Sequence, residues 1–205
     1  MKRKVKLKLP FYILVLSFVP ILILSAFLSI KSTKTNLKKE PEETIINSYP
    51  VINEDDGKIS FPYTNDSVKV GKKYYDYKSE ESNQENSIVV HDNTYYQNTG
   101  IDYVAEKPFD VLAIDNGTVT NVKEDDNLGK IVEIKHENGL ISSYQSLSEI
   151  LVKKNDVITK GQLIGKSGTN ELDKELGNHL HLEIYENGQA VNPENYLGKV
   201  YEKKN

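Results

Sequence analysis

The stretch "GNHLHLEIYENGQAVNP" (177–193) decides the fold. Leu180, Leu182 and Ile184 alternate with polar residues. Because a β-strand turns successive side chains to opposite faces, this alternation indicates a strand with one apolar face. Asn187-Gly188 then provides the residue pair that suits a two-residue hairpin turn, ahead of Pro193. The stretch therefore predicts a half-buried strand followed by a hairpin.

The polar face of the same strand carries His179, His181 and Glu183. We expect these side chains to line whatever groove the sheet presents. Two imidazoles two positions apart are well placed to share a metal ion or a metal-bound water. A pair of exposed histidines on a polar face is the alternative, and the motif alone leaves both open.

Short apolar runs separated by turn residues recur upstream, from residue 88 onward. The turn signals are "DNG" (115–117), "HENG" (136–139) and the glycines of 152–168, with Gly161, Gly165 and Gly168 as expected turn points. Runs joined by such residues are typical of hairpins. No part of this region shows an apolar period of 3.6 residues. The sequence predicts a mainly β, antiparallel domain, and 78–87 is expected to be a solvated loop.

Charge and composition exclude several classes of function. Residues 1–39 hold nine Lys or Arg and no acid, so 40–205 carry the other 17 basic residues (26 less nine) against 30 acidic ones, a net charge of −13. An acidic body argues against nucleic acid, whose phosphates favour Lys and Arg clusters. The chain has no cysteine, which excludes disulfides and thiolate metal sites.

The N-terminal part reads as a membrane anchor. Residues 11–30, "FYILVLSFVPILILSAFLSI", are free of charge. As a helix they would span about 30 Å, the thickness of the hydrocarbon core of a bilayer. Five basic residues precede the stretch, which places the N-terminus in the cytoplasm. A cleaved signal peptide is the alternative, but its apolar region is usually shorter.

These patterns predict a chain plan with six parts. They are a basic cytoplasmic segment (1–9), one transmembrane helix (10–30), a polar tether (31–58), a strand and loop segment leading into the domain (59–87), the β domain (88–198) and a tail (199–205).

A second motif, "NTGID" (98–102), lies about eighty residues before His179. Gly100 permits an unusual backbone angle, which would let the flanking side chains converge. Asp102 is a candidate metal ligand; a turn residue is the alternative.

Four phrases, "NTGID", "AIDNGTVTNV", "NDVITKGQLIGKSG" and "HLHLEI…VNPENYL", resemble in order and spacing the LytM/lysostaphin-type zinc metallopeptidases of bacterial cell walls. The resemblance covers 95–197 and implies a LytM-like antiparallel domain. By this resemblance, Asp102 and His181 match the second and third zinc ligands, and His179 matches a histidine that assists catalysis. Asn98 stands where the first ligand should be, and Ser146 stands where the family has histidine in a Tyr-x-His-Leu run.

These two substitutions predict a degenerate site without catalysis. A catalytic zinc ion normally takes three protein ligands, and Asp102 with His181 supplies two. The amide of Asn98 suits zinc less well than an imidazole. We therefore expect no cofactor, with weak residual zinc binding left open. His91 and His136 could in principle complete the site, but we expect them to be exposed strand histidines.

Longer phrases, among them "FPY…YYDY", "NTYYQNTGIDY" and "IVEIKHENGLISSYQSLSE", resemble a non-catalytic sporulation branch of the same family. This resemblance implies a single-pass protein of the forespore membrane. Its domain would bind a mother-cell membrane protein across the intermembrane space, and support engulfment and forespore gene expression. A zinc-dependent peptidoglycan endopeptidase with an altered site, and a module that binds peptidoglycan or activates a hydrolase, are the alternatives.

Overall fold

A computed structural model describes residues 57–201. The expected transmembrane helix (10–30), the segment before it, nearly all of the tether and the end of the tail lie outside the described residues. Within 57–201, no helix combines the length and the apolar character needed to cross a membrane.

The described chain is built almost entirely of strands. They are Lys69–Lys72 (β1), Ile88–His91 (β2), Thr94–Gln97 (β3), Ile101–Val104 (β4), Asp110–Leu112 (β5), Gly117–Asp125 (β6), Gly129–His136 (β7), Ile141–Ile150 (β8), Val157–Ile158 (β9), Leu163–Ser167 (β10), His179–Glu186 (β11) and Gln189–Val191 (β12). Ten of them form one antiparallel sheet, whose longest path runs β1-β4-β11-β8-β7-β6-β9, and β2 pairs with β3 in a separate ribbon. The expectation of a mainly antiparallel β domain is confirmed.

Strand β11 lies inside the sheet, between β4 and β8. Leu180, Leu182 and Ile184 are fully buried in the main hydrophobic core, as their alternation predicts. Tyr144 of β8 is also fully buried, and its hydroxyl accepts a hydrogen bond of 2.9 Å from the backbone nitrogen of Ile114. Every described strand finds its partner within 57–201, so this part of the chain is a self-contained folding unit.

Turn chemistry accounts for two of the hairpins. β11 pairs with β12 across Asn187 and Gly188, whose φ angles of 53° and 81° belong to the turn that suits the twist of paired strands. β7 pairs with β8 across "HENG". The "DNG" prediction is wrong: β5 pairs with β10, and β6 pairs with β7 and β9. There Asn116 accepts hydrogen bonds from Lys160 and His136, which redirects the chain between distant strands.

The segment ahead of the domain core is joined to it by backbone hydrogen bonds. Ile59 forms a bridge with Leu197, and the backbone nitrogen of Ser60 donates to the oxygen of Ile114 at 2.8 Å. β1 pairs with β4 along one edge of the sheet. The expectation of a simple loop over 78–87 is wrong, because Glu81–Glu85 form a short helix (α1). This helix buries no residue, so it leaves no apolar period in the sequence.

Gly100 is needed for a reason other than the one expected. Its φ lies outside the left-handed region. A Cβ at this position would lie 2.3 Å from the backbone oxygen of Leu182 and 2.9 Å from the ring of His181. Glycine here therefore permits the close approach of β11 to the start of β4. Gly165, expected at a turn, also lies within a strand and faces the backbone oxygen of Glu149.

We predict that Gly100→Ala lowers the free energy of unfolding by about 3 kcal/mol, because the added methyl group meets backbone and must push the strands apart. Urea denaturation of fragment 49–205 measures this. Gly188→Ala is the control, since a Cβ there meets open space and only the φ of 81° is unfavourable. It should cost about 1 kcal/mol. Equal losses in the two variants would contradict the close-approach explanation.

Candidate functional site

Strand pairing brings the predicted site residues together. His181 of β11 lies opposite Asp102 of β4 on one side and opposite Gln145 of β8 on the other. Asn98 precedes β4 by three residues, and its backbone nitrogen donates to the oxygen of Ser87 at 3.0 Å. The register of three strands thus places these side chains in one cluster.

The first part of this cluster is a chain of buried hydrogen bonds. The Nδ2 atom of Asn98 donates to Oδ2 of Asp102 at 2.8 Å and to the backbone oxygen of Lys73 at 3.0 Å. The other oxygen of Asp102, Oδ1, accepts from Nδ1 of His181 at 2.8 Å. Both carboxylate oxygens of Asp102 are therefore occupied by donors of the protein itself.

Glu183 closes the cluster from the other side. Its Oε1 lies 3.5 Å from Nε2 of His181 and accepts a hydrogen bond from the hydroxyl of Thr99. Its Oε2 accepts from Nε2 of Gln145 at 2.7 Å and from the hydroxyl of Tyr185 at 2.6 Å. Glu183 is buried, and four neighbouring side chains compensate for the loss of water around it.

The two carboxylates set the charge of His181. Burial alone would lower the pKa of His181, but Asp102 and Glu183 together outweigh it and raise that pKa to about 10. Burial would likewise raise the pKa of Glu183, yet the contacts with His181, Thr99 and Tyr185 hold it well below its ordinary value. At neutral pH the cluster therefore holds an imidazolium between two carboxylates.

The residues present do not fit a catalytic zinc ion. Asn98 turns its amide nitrogen, a donor, toward Asp102, where a ligand would have to present a lone pair. His181 turns both ring nitrogens toward carboxylates. Within 57–201, no three His, Cys, Asp or Glu side chains are grouped so that they could hold a metal ion.

His179 belongs to a second buried chain of hydrogen bonds. Its Nδ1 donates to the backbone oxygen of Gly177 at 2.8 Å, and its Nε2 accepts from the hydroxyl of Ser146 at 2.9 Å. Asn170 donates to the same hydroxyl at 2.8 Å. Both His179 and Ser146 are fully buried. The expectation that His179 lines an open groove is therefore wrong, because its ring is fully buried with both nitrogens held by Ser146 and Gly177.

A cavity of about 290 Å³ lies above the Asp102–His181–Glu183 cluster. Val89 and Tyr96 of the β2–β3 ribbon form part of its wall, whereas His179 and Ser146 do not reach it.

Neither of the remaining histidines lies at this cavity. His136 is buried, contrary to the expected exposure, with Nδ1 2.9 Å from the oxygen of Asn116 and Nε2 2.7 Å from the hydroxyl of Ser142. Its burial lowers its pKa. His91 is partly exposed and lies 3.4 Å from Asp92. The structure therefore gives neither histidine a place in the site.

Sequence reasoning missed several residues that hold the site. Gln145 and Thr99 contact Glu183, and a buried ion pair of 2.6 Å joins Lys72 of β1 to Asp173 beside the cavity. Alternation along β11 correctly placed Glu183 on the same face as His181. The other contacts join residues distant in sequence, and no local pattern signals them.

A family sequence model and solved structures of similar proteins agree with the fold and the motifs described above. The sequence model of peptidase family M23 matches residues 96–193. Two solved complexes of SpoIIQ with SpoIIIAH contain chains similar to this one. One is 40% identical with a TM-score of 0.65, and the match covers 67% of this chain and 99% of that one. The other is 39% identical with a TM-score of 0.66, over 68% and 90%. The chain belongs to peptidase family M23, as its motifs predict.

Within the family, the chain is similar to stage II sporulation protein Q of Bacillus subtilis (strain 168). The two are 41% identical over 136 residues, which are 65% of this chain and 48% of that protein. The match thus spans about half the length of the relative. The expected resemblance to the sporulation branch of the family is confirmed.

We predict that His181→Gln lowers the free energy of unfolding by about 3 kcal/mol near pH 6, because it leaves two buried carboxylates without their cation. A raised pKa stabilises the folded state fully below the unfolded value of 6.5, and that stabilisation is lost as pH rises toward about 10. The difference between wild type and variant should therefore shrink from pH 6 to pH 9 in urea denaturation. His91→Gln, at a partly exposed histidine outside the cluster, is the control and should change the free energy of unfolding little. If the difference in free energy of unfolding between wild type and His181→Gln widened with rising pH, a raised pKa of His181 would be contradicted.

Proposed function

We propose that this chain is a membrane-anchored sporulation protein without peptidase activity. Its M23 domain binds a SpoIIIAH-like membrane protein of the mother cell across the forespore intermembrane space. Through that complex it supports engulfment and forespore gene expression. The single observation that carries the proposal is the match to the SpoIIQ chain of the SpoIIQ–SpoIIIAH complex, at 40% identity over 99% of that chain.

The extent of this match supports the partner. Because nearly all of that SpoIIQ chain has a counterpart here, the surface that would meet SpoIIIAH falls within the matched region. A chain matched over this length at 40% identity shares its backbone fold. A partner of the SpoIIIAH type is therefore the one that this match supports.

The site supports a role without catalysis. Asn98 and Ser146 replace the two histidines that the family resemblance calls for, and each is held by hydrogen bonds inside the protein. Without a metal-bound water, the pKa of an attacking water stays far above neutral. We propose Asp102, His179 and His181 as vestiges of the family's site, which now stabilise the fold.

The chain plan belongs to the same proposal. Residues 1–9 would be cytoplasmic, 10–30 would cross the forespore membrane once, and 31–58 would tether the domain. Residues 59–87 would lead into the domain (88–198), which ends in a short tail (199–205). The charge-free stretch 11–30 and the five basic residues before it support this orientation.

Size-exclusion chromatography and calorimetry with purified components test the partner. Fragment 49–205 should form a stable complex with the extracytoplasmic domain of a SpoIIIAH protein. The catalytic domain of an active M23 peptidase, which shares the fold, is the matched control and should not bind. Failure of fragment 49–205 to bind would contradict the proposed pairing.

A cell-wall assay separates this function from the endopeptidase alternative. Purified peptidoglycan incubated with fragment 49–205 and zinc should release no soluble peptides, whereas the active control domain should. Release by fragment 49–205 that His181→Ala abolishes would establish an endopeptidase instead. Co-sedimentation of the fragment with intact peptidoglycan, without release, would favour a wall-binding module.

A further inference from the structure

The loop after β8 and the first residue of β9 carry two apolar and two cationic side chains at the surface. Leu151 is 48% exposed and Val157 is 82% exposed. Lys153 and Lys154 between them are exposed as well. We call residues 151–157 the lysine tip. Exposed apolar side chains beside lysines are the combination of side chains that favours the interface of a lipid bilayer.

The lysine tip has a defined shape. The backbone nitrogen of Asp156 donates to the oxygen of Lys153 at 3.1 Å, and Asn155 takes a φ of 74° at the corner. The side chain of Asp156 accepts from the backbone nitrogen of Lys153 at 2.9 Å. The one acid of the tip is thus used to close the turn, and Lys153 and Lys154 form no ion pair with the described residues.

The surroundings of the tip are positive in an acidic body. Residues 149–166 contain four lysines and two acids, and Lys166 is paired with Asp110 at 2.7 Å, whereas 40–205 carry a net charge of −13. Val157 lies opposite Thr118 in the sheet, and Thr118 lies opposite Lys135. All three are exposed, so Lys135 adds a further cation to the face of Val157. Glu137 lies near the same face and offsets part of this charge.

The chain enters the domain beside this tip. The Nζ atom of Lys160, three residues after Val157, donates to the backbone oxygen of Lys58 at 3.1 Å. The sequence before residue 57 contains the charge-free stretch 11–30, joined to the domain by 26 residues (31–56). If residues 11–30 anchor the chain in a membrane, the tip is held close to a lipid surface. That surface is therefore the partner considered for the tip.

We propose that the lysine tip docks on an anionic phospholipid surface. Leu151 and Val157 enter the headgroup region, and Lys153 and Lys154 lie against lipid phosphates. This inference rests on the proposed membrane anchoring. The acidic remainder of the domain opposes binding only weakly, because charges more than about 8 Å from the lipid are largely screened at physiological salt. Attachment to the same membrane raises the effective concentration, so a weak intrinsic affinity suffices.

A fluorophore on the tip tests the proposal in the full chain. The protein has no cysteine, so Val157→Cys gives one labelling site. The chain is reconstituted in vesicles of phosphatidylcholine, with or without an equal part of phosphatidylglycerol. An environment-sensitive label at 157 should shift to the blue only in the anionic vesicles, and high salt should reverse the shift. The same label at Val90→Cys, 57% exposed on β2, should not respond.

Charge variants show whether the lysines cause the binding. Lys153→Ser with Lys154→Ser should abolish the blue shift and lower the partitioning of fragment 49–205 onto anionic vesicles by roughly 30-fold. Lys69→Ser with Lys107→Ser makes the same change in charge at exposed lysines near β1, and should leave the shift in place.

Three results would overturn the proposal. The first is a label at 157 whose emission is the same with and without phosphatidylglycerol. The second is an equal effect of the two charge variants on vesicle binding. The third is a tip variant that no longer binds the SpoIIIAH domain but still binds the anionic vesicles. The last result would make the tip a protein contact. Failure of the proposed function is distinguishable, because wild type would then bind no SpoIIIAH domain while the blue shift persisted.

Discussion

The hydrogen bond between Asp102 and His181 is the interaction on which the rest of the site depends. It joins β4 to β11 at 2.8 Å inside the sheet and holds a positive imidazolium whose side chain is 12% exposed. A buried charge is costly unless it is paired and hydrogen-bonded. Glu183 meets that requirement on the other side, and Thr99, Gln145 and Tyr185 in turn satisfy Glu183.

The cluster explains how a peptidase fold persists without its chemistry. In an active site of this type a metal ion would hold the facing polar atoms. Here the same positions are satisfied by one another: Asn98 donates to Asp102, and Ser146 donates to His179. Ser146 even holds a left-handed backbone, with a φ of 63°, where its nitrogen donates to Leu128. These contacts satisfy the polar atoms of the site within the protein itself.

Features that depend on neighbouring residues, such as strand faces and tight turns, could be predicted from the sequence. The alternation over Leu180, Leu182 and Ile184 identified the core face of β11, and Asn187-Gly188 identified its hairpin. The family resemblance identified Asn98, Asp102 and His181, which the structure brings together. Their functional roles remain predictions.

Contacts between distant segments decided the rest. His179 and His136 are buried because loops and strands far along the chain cover them, which alternation cannot reveal. The "DNG" turn leads to a different strand from the one expected, since Asn116 bonds to Lys160 and His136. Gly100 is required by the approach of Leu182, eighty-two residues away, rather than by its own φ.

Zinc titration of metal-free fragment 49–205, beside Asn98→His, tests the central claim most directly. If the replacement of the first ligand by Asn98 prevents zinc binding, wild type should show no stoichiometric zinc binding by calorimetry. The variant should gain it, because a third ligand of the right kind then joins Asp102 and His181. Tight stoichiometric binding by wild type would contradict the account.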